Sequence, residues 1–294
     1  MEIQGNTAVI TGGGNGIGRA IAIALAERGA NVCVVDIEQA QAEAVAQAAR
    51  QHGVRSAAYS LDVRDPQAVE NLAETAWLEF GSVELLFNNA GVMGGAGPVW
   101  TASPEDVEWV LGVNVVGVMN GVRAFVPRMI ASGAPSWIIN TGSEHSFGRP
   151  HNNAHVYNAS KHAVLGLSDM LRAELPDNVG VSVLCPGIVE STLWKASERR
   201  PDSLGGAIEA NPAGSAAMQM GLPATTVADK VIEALEQEYF FILSHPHVAE
   251  IAARRADEVA RAFAAQAPRY DGDDVYDVNK IIATLTARSQ ETSE

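Results

Sequence analysis

Seven short segments along the first 245 residues read as strands, near positions 6–10, 32–35, 56–60, 84–88, 136–141, 180–184 and 240–243. Between them lie longer stretches with helical periodicity, near 16–29, 39–52, 66–80, 104–132, 155–175 and 225–237. Ala42, Val45, Ala46 and Ala49, for example, form the single apolar stripe of a surface helix. Strand and helix alternating at this length predict a parallel sheet covered on both faces. Right-handed crossovers, with a glycine turn after the first strand, set the expected order at 3-2-1-4-5-6-7. The expectation is an α/β fold, a single doubly wound Rossmann domain over residues 1–245 with a seven-stranded parallel sheet. Within it, Thr192 to Pro223 has weak periodicity and contains Gly205-Gly206 and Asn211-Pro212, as suits a mobile substrate lid over 192–223. Residues 246–294 are expected to pack on the same domain as a C-terminal helical extension, with a helix from His247 to Ala267 and an acidic tail from Asp271 to Asp277.

The first strand, Thr7-Ala8-Val9-Ile10, leads into Thr11-Gly12-Gly13-Gly14-Asn15-Gly16-Ile17-Gly18 and then a helical pattern from Ala20 to Arg28. Strand, glycine turn and helix make a phosphate-binding unit: glycines let the backbone approach a pyrophosphate, whose charge sits favourably at the helix N-terminus. The spacing is G-x-x-x-G-x-G, over Gly12, Gly16 and Gly18, and matches G-x-G-x-x-G in no register. The second strand ends in Asp36, whose carboxylate can accept from both adenosine ribose hydroxyls and would repel a 2′-phosphate. A cap for the helix after Ile37-Glu38 is the alternative role for Asp36.

Tyr157 and Lys161 are four residues apart in the helical stretch 155–175, so they stack on one face. A fixed ammonium beside a phenol is expected to lower its pKa and make it a general acid/base.

These motifs resemble, in order and spacing, those of the short-chain dehydrogenase/reductase family, with T-G-x-x-x-G-x-G at Thr11 to Gly18 and Y-x-x-x-K at Tyr157 to Lys161. Asn88-Asn89-Ala90-Gly91 is similar to the family's N-N-A-G, so Asn89, Ala90 and Gly91 are expected to line the cofactor cleft. Asn114 stands at the position of the catalytic asparagine, and Ser143 at that of the catalytic serine. Pro186 and Gly187 match the nicotinamide-side loop, which continues through Val189. The resemblance spans residues from about 5 to 245. Two departures occur. Ser143 precedes Tyr157 by fourteen residues, one more than is usual, which suggests an insertion in Glu144–Val156; and Ser191, followed by Thr192, stands where P-G-x-x-x-T has threonine. Either hydroxyl could bond the cofactor.

The resemblance implies a nicotinamide cofactor, held at Gly12, Asn15, Gly16, Ile17 and Gly18, by Asp36 and Ile37 at the adenosine ribose, and by Asp62 and Val63 at the adenine. Position 15, basic in many relatives that bind a 2′-phosphate, is Asn15, so NAD is expected over NADP. For Asp62 a plain turn role before Pro66 is an equal alternative. Tyr157 would exchange the substrate proton, Ser143 would hold the substrate oxygen, and Lys161 would bond the nicotinamide ribose. Asn114 would hold a relay water, or satisfy backbone groups freed by a helix kink. Met93, His145, Phe147, Ile188, Leu193 and Trp194 are candidate substrate-pocket residues, though core packing explains some equally well.

A closer similarity lies in Val113-Asn114-Val115-Val116-Gly117-Val118-Met119-Asn120-Gly121 and Phe125 to Gly133, which resemble the bacterial branch of lignin-dimer Cα-dehydrogenases and bulky-ketone alcohol dehydrogenases. It implies a hydrophobic, bulky or aryl secondary alcohol and its ketone as substrate pair. Rival readings are a lyase, epimerase or dehalogenase on the same scaffold, or a nucleotide-sensing regulator. The complete set of Asp36, Asn114, Ser143, Tyr157 and Lys161 favours redox chemistry over both.

Charge narrows the partners. A formal net charge of −15 in 294 residues, without a basic cluster, disfavours nucleic acid and anionic membranes. The two cysteines, Cys33 and Cys185, have no metal-ligand company and are expected to be buried free thiols. No metal is expected at Glu144, His145, His151, His155 and His162. With no evident signal segment or unbroken apolar run of spanning length, the expectation is a soluble, cytoplasmic homodimer or homotetramer.

Overall fold

In a computed structural model, which describes residues 1–150, 152–209 and 212–291, all seven expected strands form. They are β1 (Thr7–Thr11), β2 (Asn31–Asp36), β3 (Ser56–Ser60), β4 (Leu85–Asn88), β5 (Ser136–Thr141), β6 (Val179–Cys185) and β7 (Phe241–Leu243). Every neighbouring pair is parallel, in the order 3-2-1-4-5-6-7.

Alternate residues of each strand feed two cores. Ala8, Ile10, Val32, Val34, Leu85 and Phe87 face one way, against α1 (Gly16–Glu27), α2 (Gln39–Arg50) and α8 (Ala224–Gln237). Val9, Cys33, Val35, Leu86 and Ile138 face the other, against α3 (Pro66–Phe80) and α5 (Gly117–Ser132), with Leu165 and Leu171 of α6 (His155–Glu174) packed alongside. Burial on both faces is why these strands are apolar at consecutive positions. Parallel pairing also puts all the strand carboxyl ends at one edge of the sheet, where the loops after β1, β2, β4, β5 and β6 converge.

The helix expected over 104–132 is three pieces: α4 (Pro104–Leu111), a π-helical turn over Gly112–Val116, and α5. The apolar stripe runs on through the π turn, so periodicity gave no sign of it. By length and composition Pro104–Ser132 is apolar enough to cross a membrane, although polar residues interrupt its apolar run; 56% of its most apolar window is buried inside the protein, as in a core helix. The segment expected to be a lid is less irregular than its sequence suggests, with 3-10 turns at Leu193–Arg199 and Asp202–Leu204 and a helix, α7 (Pro212–Gln219). Asn211 lies outside the described residues.

The contacts divide the chain into two compact units, Met1–Val248 and Ala249–Glu294. The second holds nearly all of α9 (Val248–Gln266), a 3-10 turn at Asp273–Tyr276 and α10 (Val278–Glu291), where the sequence pattern had suggested no helix beyond the acidic stretch.

Candidate active site

The turn after β1 is built for close backbone approach. Gly12 has φ of +61°, and a Cβ there would lie 2.9 Å from Ala90 Cα; a Cβ on Gly18 would lie 2.2 Å from the Gly12 carbonyl oxygen. The turn is pinned to β4 by side chains: Thr11 Oγ1 accepts the N–H groups of Asn89 and Ala90 at 2.9 and 3.1 Å and donates to Phe87 O at 3.0 Å. Asn89 Nδ2 in turn donates to Thr11 O and Gly12 O at 3.0 and 3.2 Å.

Asp36 is buried at the end of β2, with Oδ2 accepting Gly14 N–H at 2.9 Å and Oδ1 accepting Glu38 N–H at 3.1 Å. It lines the cleft beside Ile37, and its bond to Glu38 N–H braces the residue before α2, whose own N-cap is Glu38, so Asp36 is not the helix cap itself. Asp62 also lines the cleft; burial works against its ionisation, but hydrogen bonds and charge from Arg64 outweigh this and hold the carboxyl below its usual range. Two cations escaped the sequence reading here. Arg64 and Arg199 both reach this end of the cleft, and each is engaged by an acid, Arg64 with Asp62 at 2.6 Å and Arg199 with Glu38 at 3.3 Å. Arg199 is far from β2 in sequence, and only the lid's path brings it there.

Tyr157, Lys161 and Ser143 meet at the other end of the cleft. The Tyr157 phenol and the Ser143 hydroxyl are hydrogen-bonded, Lys161 Nζ lies 5.5 Å from the centre of the tyrosine ring, and Lys161 donates to Thr141 O at 2.7 Å. The expected lowering of the phenol pKa by the lysine is not what this environment produces. Burial pushes Tyr157 up to about 12, only partly offset by the Ser143 hydrogen bond, and the Glu144 carboxylate adds to the rise. Burial also pushes Lys161 down, to about 8. Desolvation disfavours the charged form of each and is the largest cause of both shifts.

Asn114 sits in the π turn and is almost fully buried. Its Nδ2 donates to Val92 O at 2.9 Å and Ser160 Oγ at 3.0 Å, and its Oδ1 accepts Val92 N–H at 2.8 Å. The amide thus ties the loop after β4 to α6; it satisfies the backbone of Val92 rather than that of its own kinked helix. π turns are frequent at functional sites, and here the Asn114 side chain does not itself line the cleft.

Of the remaining expected positions, Asn15, Gly16, Ile17, Val63, Gly91, Pro186, Gly187, Val189 and Ser191 line the same cleft. Thr192 does not; its Oγ1 donates to Asn15 Oδ1 at 2.9 Å and fastens the segment after β6 to the glycine turn. Met93, His145, Ile188 and Leu193 also line it. Two pocket candidates are corrected. Phe147 packs at a tilt against Phe241, ring centres 5.7 Å apart, and joins the core under β7 instead of the cleft. Trp194 also lies off the cleft, with Lys195 Nζ 4.9 Å from its ring centre, because the 3-10 turn presents Leu193 inward in its place. The sequence reading missed Trp109 and Val113, which complete the apolar wall, and Pro201 and Met218 from the lid side; their signal, an apolar stripe in 104–132, is shared with ordinary core residues.

The histidines do not converge. His145 Nδ1 lies 3.0 Å from Asn158 Nδ2, with its ring edge-on to Tyr157, while His162 Nδ1 lies 2.9 Å from Asn158 O. His151 lies outside the described residues. Among the described residues no group of three or more His, Cys, Asp or Glu side chains has metal-binding geometry. Cys33 and Cys185 are buried and unpaired, and burial raises both thiols.

A glycine cradle at one end of the cleft and a Tyr, Ser and Lys cluster at the other define a Rossmann-type oxidoreductase. A family model described as short chain dehydrogenase matches residues 6–202, and the chain belongs to that family. It is 35% identical over 247 residues to 1-deoxy-11-beta-hydroxypentalenate dehydrogenase of Streptomyces avermitilis, covering 83% of this chain and 86% of that protein. It is 32% identical over 259 residues to the C alpha-dehydrogenase of a Sphingobium species, covering 85% and 83%. Among solved structures, a short chain dehydrogenase/reductase from Burkholderia phymatum in complex with NAD superposes with a TM-score of 0.83 at 34% identity, covering 92% of this chain and 99% of that one.

Proposed function

We propose that the protein interconverts a hydrophobic, bulky or aryl secondary alcohol and its ketone, with NAD as cofactor. The observation that carries the reading is the meeting of Tyr157, Ser143 and Lys161 in the same cleft as the glycine turn and Asp36. The residues fit the cofactor: the cradle of Gly12 and Gly18 has no room for a side chain, and Asp36 presents a carboxylate where a ribose would lie. Bound NAD would supply the acceptor for the hydride that leaves the alcohol carbon. The rest falls to the chain.

Ser143 holds the substrate oxygen by its hydroxyl, and Tyr157, hydrogen-bonded to Ser143, exchanges the proton of that oxygen. With a pKa near 12, Tyr157 is protonated at neutral pH and set to donate to a ketone oxygen; alcohol oxidation, which needs the phenolate, gains rate as pH rises. Lys161, on the same helix face, is the residue to hold the nicotinamide ribose, and Asn114 fixes the loop that faces it.

The apolar wall of Met93, Trp109, Val113, Ile188 and Leu193 supports a hydrophobic substrate, as does kinship with relatives named for a hydroxylated pentalenate and a C alpha position. The test is steady-state turnover with NAD⁺ of 1-phenylethanol-type and cyclic secondary alcohols, set against polyols and short primary alcohols. Higher kcat/KM for the hydrophobic set is expected. Higher kcat/KM for the polar set would overturn the substrate class and leave the dehydrogenase reading standing; no turnover of any alcohol would overturn both.

A further inference from the structure

The lid is fastened to the wall of the cleft by a buried ion pair that the proposed chemistry does not use. Arg200, between the cleft residues Arg199 and Pro201, is only 7% exposed, and Asp106 of α4 only 4%. Arg200 Nη1 lies 3.7 Å from Asp106 Oδ1, and Nη2 donates to Ser103 Oγ, which caps α4, at 3.5 Å. The same aspartate accepts the Gly95 N–H on both oxygens at 3.0 Å. One carboxylate therefore holds the lid and also the loop that carries Met93. The fit is close on the loop side, where a Cβ on Gly94 would come within 2.4 Å of Val110 Cγ2. On the lid side Gly205, at φ of +94°, lets the chain turn around the guanidinium. Trp109, Val110, Val113, Ala196 and Leu204 pack together as one apolar cluster that joins α4 to the lid.

Stability does not account for the pair. Arg200 Nε has no hydrogen-bond partner among the described residues, and a buried ion pair is often no more stable than an apolar replacement. Its placement accounts for more. Asp106 lies one turn before Trp109 in α4, Gly95 lies two residues after Met93, and Arg200 adjoins Pro201, so the pair connects three segments that wall the substrate end of the cleft. Tyr157, Ser143 and the glycine turn come from other elements.

We infer that Arg200 and Asp106 form a clasp that sets the spacing between the lid and the loop around Met93, and thereby which alcohols fit. The inference rests on the dehydrogenase reading. Neither side chain lines the cleft, so both are positioning residues that act through Met93, Trp109 and Pro201.

Three variants of the full chain test it. Asp106→Asn keeps an acceptor for Gly95 N–H and loses the charge, Arg200→Met loses the charge and keeps the length, and Asp106→Leu with Arg200→Met leaves no unpaired charge to unfold the protein. Each is expected to raise KM for a bulky aryl alcohol about tenfold, to leave kcat within about threefold and to cut the preference for bulky over small alcohols by a similar factor. The Kd for NAD⁺ should not move, and Arg200→Lys should recover part of the preference. Limited proteolysis without substrate should cut 192–209 faster in all three variants.

Wild-type selectivity in the double variant would overturn the clasp, and so would equal losses for bulky and small alcohols. Unchanged proteolysis would overturn it as well, and that readout needs no turnover. A wild-type protein that oxidises no alcohol would sink the dehydrogenase reading, while proteolysis still reports whether the pair holds the lid.

Discussion

The two ends of the cleft are made by different means. The end proposed to hold the adenosine and pyrophosphate is mostly backbone: a continuous turn, Thr11 to Gly18, locked to β4 by Thr11 and Asn89, with Asp36 held by two N–H groups. The substrate end is side chains gathered from α4, the loop after β4, the loop after β6 and the lid. A backbone cradle admits one kind of ligand and tolerates almost no substitution. A wall of separate side chains can change its ligand without disturbing the fold, which is how one scaffold serves many substrates.

The largest effect is expected at the cradle. Gly18→Ala puts a methyl group against the Gly12 carbonyl, at a place where only backbone could yield. We expect NAD⁺ affinity to fall by about a hundredfold or more, since close approach to the pyrophosphate is what the turn provides. Calorimetric titration checks it, and wild-type affinity would show that the turn is not the phosphate site.

The second test turns on Lys161, whose burial costs stability. Its pKa is depressed from 10.5 to about 8, so the folded state disfavours the ammonium by about 3 kcal/mol at neutral pH. The cost is full below pH 8 and disappears above the unfolded value, because between the two the unfolded chain binds more protons and stability rises with pH. Lys161→Met should thus unfold at a higher temperature than wild type at pH 7, with the gap closing toward pH 10.5, while turnover is lost. A variant less stable than wild type at pH 7 would refute the desolvation argument.

A smaller effect is expected at Asp36. Removing its charge by Asp36→Ala should narrow or reverse the preference for NAD⁺ over NADP⁺, a change of about tenfold in the kcat/KM ratio. Arg64 and Arg199 already stand at this end of the cleft, so the loss of one acid would leave a more positive surround for a 2′-phosphate. Equal use of both cofactors by the wild type would contradict the assignment of Asp36.

The same division explains what the sequence could reveal. The glycine turn, Asp36 and the Tyr157, Lys161 pair were legible because each rests on local spacing within one strand, turn or helix, and the order of the sheet because strands and helices alternate along the chain and crossovers are right-handed. The π turn at Gly112–Val116 was not, since it widens the helix without interrupting its apolar stripe. Arg199 and Trp109 were missed because chain folding, not spacing, brings them to the cleft, and Phe147 was misplaced because an aromatic residue beside the site packs just as well under β7. The direction of the Tyr157 shift was misjudged for a related reason: a neighbouring charge can be read from four-residue spacing, but the burial that outweighs it cannot.

In the proposed reaction the Tyr157 hydroxyl exchanges the substrate proton in a cleft that binds NAD independently of it. Tyr157→Phe deletes that hydroxyl and nothing else. Measured side by side, kcat for a hydrophobic secondary alcohol should fall by about 10²–10⁴-fold, while the Kd for NAD⁺ stays within about twofold of wild type. Retention of more than about a tenth of kcat would contradict the claim.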